Sequence, residues 1–194
     1  MKKLLLVLLC LPLFTLAQQT YVPDDNFEQA LINLGYDNVL DDYVITANIN
    51  TVTYLNVSFS NIVDLTGIED FTALTDLECR NNGLTSLDLS QNTALTYLYC
   101  SSNQLTSLDV SNNPNLWRLW CAGNSLTSLD VSQNIALNRL SCSVNQLTSL
   151  DLSNNTALTY LQCNSNQLTY LDIRNTNLST NCSGCNYPNN CGFC

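Results

Sequence analysis

Leucines, with one cysteine per unit, recur along most of this chain at a fixed spacing. Cut at the leucine that opens each unit, the chain reads Leu74, Leu77, Cys79; Leu95, Leu98, Cys100; Leu116, Leu119, Cys121; Leu137, Leu140, Cys142; and Leu158, Leu161, Cys163, with 21 residues from each unit to the next. Every unit carries an asparagine (Asn82, Asn103, Asn124, Asn145, Asn166), two further leucines (Leu84 and Leu87 in the first) and an aspartate (Asp88, Asp109, Asp130, Asp151, Asp172). A divergent unit precedes them, from Val52 through Leu55, Val57, Ile62 and Leu65 to Ala73.

A unit this short cannot bury its own apolar side chains, but stacked units can, because the leucines of each rung land on those of its neighbours. Around Leu-x-Cys the pattern alternates as a strand does: Leu77 and Cys79 point inward, while Asp76, Glu78 and Arg80 point out. Rungs at parallel-strand spacing rise about 5 Å each, so six of them make a core about 30 Å long. The remaining arc, such as Thr85 to Thr93, is rich in Ser, Thr, Asn and Asp and too short for a helix plus two turns. It reads as turns and extended segments with 3₁₀ pieces.

The pattern resembles the leucine-rich repeat, LxxLxLxxNxL, with Cys in the place of the third leucine. The resemblance covers residues 52–178, six repeats, and Ile62, Val63, Asp64 and Leu65 look like the 22-residue internalin variety. It implies a right-handed solenoid, α/β by convention but mostly β and turns in content. Ahead of it, residues 21–35 predict a helix with Asp24 or Asp25 as N-cap, one apolar face of Phe27, Ala30, Leu31 and Leu34, and Gly35 as its stop. The stretch from Val22 to Leu31 also resembles the capping opener of secreted bacterial leucine-rich-repeat proteins. The expected organisation is a leader over 1–17, a helical cap over 18–51, the solenoid over 52–178 and a Cys-rich tail over 179–194.

The N-terminus reads as a secretory signal: Lys2 and Lys3, an apolar run from Leu4 to Leu16, and a small-residue cleavage site before Gln18, so that cleavage falls after Ala17. A lipoprotein anchored at Cys10 is the weaker alternative, because Cys10 lies inside the apolar run and follows Leu9. No other stretch has the roughly 18 apolar residues a membrane span needs. The expected location is therefore secreted or cell surface. Sixteen acidic residues against six basic ones give a formal charge of −10, and two of the six lie in the leader. Such a balance argues against nucleic acid, whose phosphates require a basic face.

Each column of identical residues has its own chemistry. Cys79, Cys100, Cys121, Cys142 and Cys163 face inward at a leucine position, which predicts buried free thiols acting as small apolar filler. Disulfides between rungs are awkward, since strand spacing exceeds the Cβ separation of about 3.8 Å that a disulfide wants. In the tail, Cys182 and Cys185 with Cys191 and Cys194 form two CxxC pairs. Outside the cytoplasm two disulfides are the simpler reading, with a four-thiolate zinc site as the alternative. The aspartates read as turn caps, with calcium as the alternative, and the asparagines as bonded to the turn backbone of neighbouring rungs.

No enzyme is expected. The chain has no histidine, which excludes Ser-His and Cys-His nucleophiles and His-ligated metals. Asp76 and Glu78 have a spacing compatible with glycoside hydrolysis, but any charged strand offers such a pair. No cofactor is predicted.

The sharper signal is the outward strand face. Tyr97 and Tyr99, then Arg118 and Trp120, then Arg139 and Ser141, then Tyr160 and Gln162 occupy successive rungs, with Trp117 at the border. Tyr, Trp and Arg dominate binding hot spots. The expectation is a recognition scaffold binding a protein or glycan outside the cell through Tyr97, Tyr99, Trp117, Arg118, Trp120, Arg139 and Tyr160, with Trp120 as the central anchor. Secreted proteins of the internalin type bind partners through this face, which the resemblance adds to that expectation. The alternative is a structural envelope or matrix protein with no defined ligand, including a minor ice-binding version through Thr85, Thr106, Thr127, Thr148 and Thr169. Strand propensity and cross-rung stacking also favour aromatics on such a face.

Overall fold

The 21-residue period becomes one turn of a solenoid. The computed structural model describes residues 17–178. The leader up to Leu16 and the tail cysteines Cys182, Cys185, Cys191 and Cys194, with the readings attached to them, lie outside the described residues.

The chain opens with β1 (Gln19–Tyr21), α1 (Asp25–Asn33), β2 (Tyr43–Ile45) and a short α2 (Thr46–Ile49). Strands β1 and β2 pair antiparallel. The helix is shorter than residues 21–35, because Tyr21 belongs to β1 and the chain leaves the helix at Leu34, ahead of Gly35 at φ +82°. Asp24 is the N-cap: its Oδ1 accepts from the N–H groups of Asn26 and Phe27 at 2.9 and 3.0 Å. Its Oδ2 accepts from Val63 and Asp64 at 2.7 and 3.0 Å, so one carboxylate ends the helix and ties it to the first rung. Phe27 and Leu31 are fully buried and Ala30 partly so, but Leu34 is 45% exposed, because it sits at the C-cap where the chain turns away from the core.

Glu28 on the same helix is fully buried. Its carboxylate accepts from the N–H groups of Asp41, Asp42 and Tyr43 at 2.9 to 3.2 Å, which satisfies the charge and fixes the approach to β2. Gly67 completes the junction. A Cβ there would stand 2.8 Å from the Tyr21 carbonyl oxygen, so only glycine lets the first rung approach β1 this closely.

Six three-residue strands then stack in parallel: β3 (Tyr54–Asn56), β4 (Asp76–Glu78), β5 (Tyr97–Tyr99), β6 (Arg118–Trp120), β7 (Arg139–Ser141) and, after β8 (Ser149–Asp151), β9 (Tyr160–Gln162). β8 pairs with β10 (Tyr170–Asp172) in a second, two-stranded parallel sheet one arc further round. In the main sheet Leu55, Leu77, Leu98, Leu119, Leu140 and Leu161 stand in one register row. Those leucines, and the column from Leu74 to Leu158, are buried to within 1%. Each such leucine contributes about 1.5–3 kcal/mol relative to an exposed one. The arcs are turns, with one 3₁₀ segment at Ile68–Asp70 in the divergent rung.

Two asparagine columns hold the rungs together. At Asn103, Nδ2 donates to the carbonyls of Cys79 and Cys100 at 3.0 Å each, and Oδ1 accepts from Leu84 N–H at 3.1 Å. Asn82, Asn124, Asn145 and Asn166 donate to the cysteine-row and neighbouring-rung carbonyls in the same way. The second column, Asn92, Asn113, Asn134 and Asn155, carries no such expectation from the sequence. It is buried to within 1%. Each of its Nδ2 atoms bridges two carbonyls of the preceding rung, as Asn113 does to Leu89 and Asn92 at 3.2 and 2.9 Å. The amide oxygens of these four have no hydrogen-bond partner among the described residues.

Candidate functional site

Strand alternation sets which side chains share the outer face of the sheet. With Leu119 inward, Arg118 and Trp120 stand on the other side of β6, and register places Tyr97 and Tyr99 of β5 and Arg139 and Ser141 of β7 directly beside them. Tyr160 and Gln162 follow on β9. All seven residues predicted for the site fall on or beside this face.

They are brought together more tightly than an exposed column would be. Tyr97 packs on Trp117 with ring centroids 5.7 Å apart, and Tyr99 meets Trp120 edge-on at 5.0 Å. The Arg118 guanidinium lies 5.2 Å from the rings of both Trp117 and Trp120, and 5.8 and 6.0 Å from those of Tyr97 and Tyr99. Arg139 lies 5.9 Å from Trp117 and 5.7 Å from Tyr160. Each of the seven is half-buried rather than fully exposed, because these contacts cover part of every ring. Ser141, read as outward, is buried beside them and bonds Gln162 at 3.2 Å.

The acidic end of the face is self-contained. Glu78 takes Arg80 at 2.9 Å and the Tyr54 hydroxyl at 3.1 Å, and Asp76 accepts from Thr75 at 2.6 Å. Both carboxylates of the hydrolytic pair considered from sequence are thus engaged by their own neighbours.

The other columns resolve into structure. Cys79, Cys100, Cys121, Cys142 and Cys163 are all buried. Burial raises the thiols of Cys79 and Cys121 well above their ordinary value and pushes Cys100 up to about 12, so thiolate chemistry is suppressed. The aspartates close turns: Asp88, Asp109, Asp130 and Asp151 accept from the N–H of the serine two residues on, at 2.8 to 2.9 Å. Hydrogen bonds from Ser90, Ser111 and Ser132 lower the carboxyls of Asp88, Asp109 and Asp130. A cleft of about 400 Å³ runs past Asp130 and Asp151. Among the described residues no group of three or more Cys, Asp or Glu converges as a metal site would require.

A parallel strand row on one side, turn-closing aspartates on the other and asparagines between rungs define the architecture. The chain has the leucine-rich-repeat fold. Solved structures similar to it include internalins. An internalin (inlF) from Listeria monocytogenes superposes with a TM-score of 0.70 at 26% identity, over 76% of this chain and 45% of that one. Internalin C2 of the same organism gives 0.69 at 23% identity, over 81% and 78%, a likeness of fold alone. In sequence, 72 residues, 37% of this chain, are 46% identical to Internalin J of Listeria monocytogenes, spanning 8% of that protein. The chain therefore spans less than half the length of inlF and a small fraction of Internalin J. No family model matches. Among the described residues no helix is long and apolar enough to cross a membrane.

Proposed function

We propose that this leucine-rich-repeat protein is a non-enzymatic recognition scaffold, secreted or held at the cell surface, which binds a protein or glycan through the strand face around Trp120. The same reading includes a leader removed after Ala17, a capping segment over 18–51, the solenoid over 52–178 and a disulfide-bonded tail over 179–194. One observation carries it: both tryptophans of the chain, three tyrosines and two arginines gather on or beside four adjacent strands, while the exposed arcs are rich in Ser, Thr, Asn and Asp. Such residues dominate hot spots, and an alanine at the centre typically costs about 2 kcal/mol or more of binding, roughly thirtyfold in affinity. The likeness to internalins supports a binding role without naming the ligand.

A second reading, a structural solenoid without a ligand, is favoured by the mutual packing of the rings, which gives them a stabilising role of their own. The two separate in a pull-down and a glycan array run with wild type, Trp120→Ala and Tyr97→Ala, each also melted thermally. Recognition predicts bound partners lost from both variants while the fold persists. If the variants melt lower and their binding profile matches wild type, the structural reading replaces it.

A further inference from the structure

Arg118 and Arg139 stand opposite one another on β6 and β7. Like charges directly opposite on neighbouring strands destabilise a sheet. The chain has sixteen carboxylates with which to neutralise them, yet the ion pairs among the described residues are Arg80–Glu78 and Arg174–Asp172. Arg118 makes one hydrogen bond to a described residue, to the Tyr99 hydroxyl at 3.0 Å, and Arg139 makes none. Rings take the place of acceptors around both guanidiniums.

A ring face attracts a cation but is a poor hydrogen-bond acceptor. Arg118 Nε, Arg139 Nε and Trp120 Nε1 are accordingly buried without a partner. These three nitrogens are covered by the cluster's own atoms, so an arriving acceptor would meet the other guanidinium nitrogens, and neither of the two facing cations has a carboxylate partner among the described residues. The missing partner is therefore rich in acceptor oxygen and negative.

Charge along the face limits its extent. Asp76 and Glu78 lie two strands from Arg118 on one side, and Ser141 and Gln162 are neutral on the other. A repeating polyanion laid across the strands would run into the acidic end. A single carboxylate fits between two guanidiniums one strand apart, since its two oxygens can accept from both. We propose that Arg118 and Arg139 receive an Asp or Glu side chain of a protein partner, with Trp117, Trp120 and Tyr160 packing around its stem. This rests on the strand face being a recognition surface.

Trp117 and Trp120 are the only tryptophans in the chain, so intrinsic fluorescence reports on this cluster alone. A displayed library of short random peptides is selected on the full-length protein, and enriched peptides are titrated by fluorescence beside copies carrying Asn for Asp and Gln for Glu. The expected result is an acidic residue common to the binders, affinity that falls with salt, and about tenfold weaker binding of the neutral copies. Arg139→Gln, checked by thermal melting for retained fold, should weaken the acidic peptides to the level of the neutral ones. Peptides that bind without an acidic preference, or equally to Arg139→Gln, overturn the proposal. If their binding is still lost in Trp120→Ala, the recognition face stands without it. Oligogalacturonate binding with the same dependence on Arg139 also overturns it, by assigning the site to an acidic glycan. If no peptide depends on Trp120, the recognition reading falls with it.

Discussion

Single residues show where the repeat is obeyed against local preference. The second residue after each cysteine-row position has a positive φ: Phe59, Asn81, Ser102, Gly123, Val144 and Ser165, at +54° to +68°. Glycine and asparagine tolerate this turn best, whereas a β-branched residue in the left-handed region is a genuine outlier. Val144 is 56% exposed, so little burial offsets that cost. Val144→Asn should therefore stabilise the protein by about 1 kcal/mol, the lower end of the left-handed penalty for an L-residue. Urea unfolding checks it, with the midpoint moving up and the slope unchanged. A midpoint that stays put or falls would mean that Val144 makes a contact worth more than its strain.

At the scale of the element, most of the fold was legible because a 21-residue spacing lays equal side chains in columns, and the column fixes which face each residue takes. Leu98 and Cys100 inward with Tyr97 and Tyr99 outward follow from alternation alone. What the sequence left hidden is also physical. Three residues, Gln19 to Tyr21, are too few to show a strand period, so the pairing of β1 with β2 carries no local signal. Asn92, Asn113, Asn134 and Asn155 sit among polar neighbours such as Gln91 and Thr93, in the arc read only as turns and extended segments, although their strict spacing was the available clue. The half-burial of Trp117 and Arg118 depends on rotamers, which no spacing encodes. The period itself can be tested. Deleting residues 95–115 removes one whole rung, keeps every column aligned, and should leave a cooperative fold less stable by about 1–3 kcal/mol, in proportion to the residues lost. Deleting one residue fewer shifts leucines out of the core row downstream, as a register slip does in any sheet. That variant should lose its cooperative circular-dichroism melt. If both deletions melt alike, the columns are not what holds the rungs.

Over the whole molecule the charge of −10 and the turn-closing aspartates pull stability in opposite directions as pH falls. Acidification relieves repulsion within an acidic chain and favours the compact state. It also protonates carboxylates whose hydrogen bonds close the turns. At Asp88 and Asp130 the bonds from Ser90 and Ser132 outweigh the repulsion of Asp109, since both carboxyls are lowered despite it. Asp109 is lowered by Ser111, and Asp172 by Arg174. A group whose carboxyl is lowered on folding contributes stability above the ordinary aspartate value of 3.8, and that stability is lost as pH falls through the folded value. The melting temperature should therefore hold steady from about pH 7 to 5 and decline below about pH 4. Replacing Asp88, Asp109 and Asp130 together with asparagine, which closes the same turns without titrating, should flatten that decline. A melting temperature that rises on acidification would show that net charge, not turn closure, governs the acid response of this solenoid.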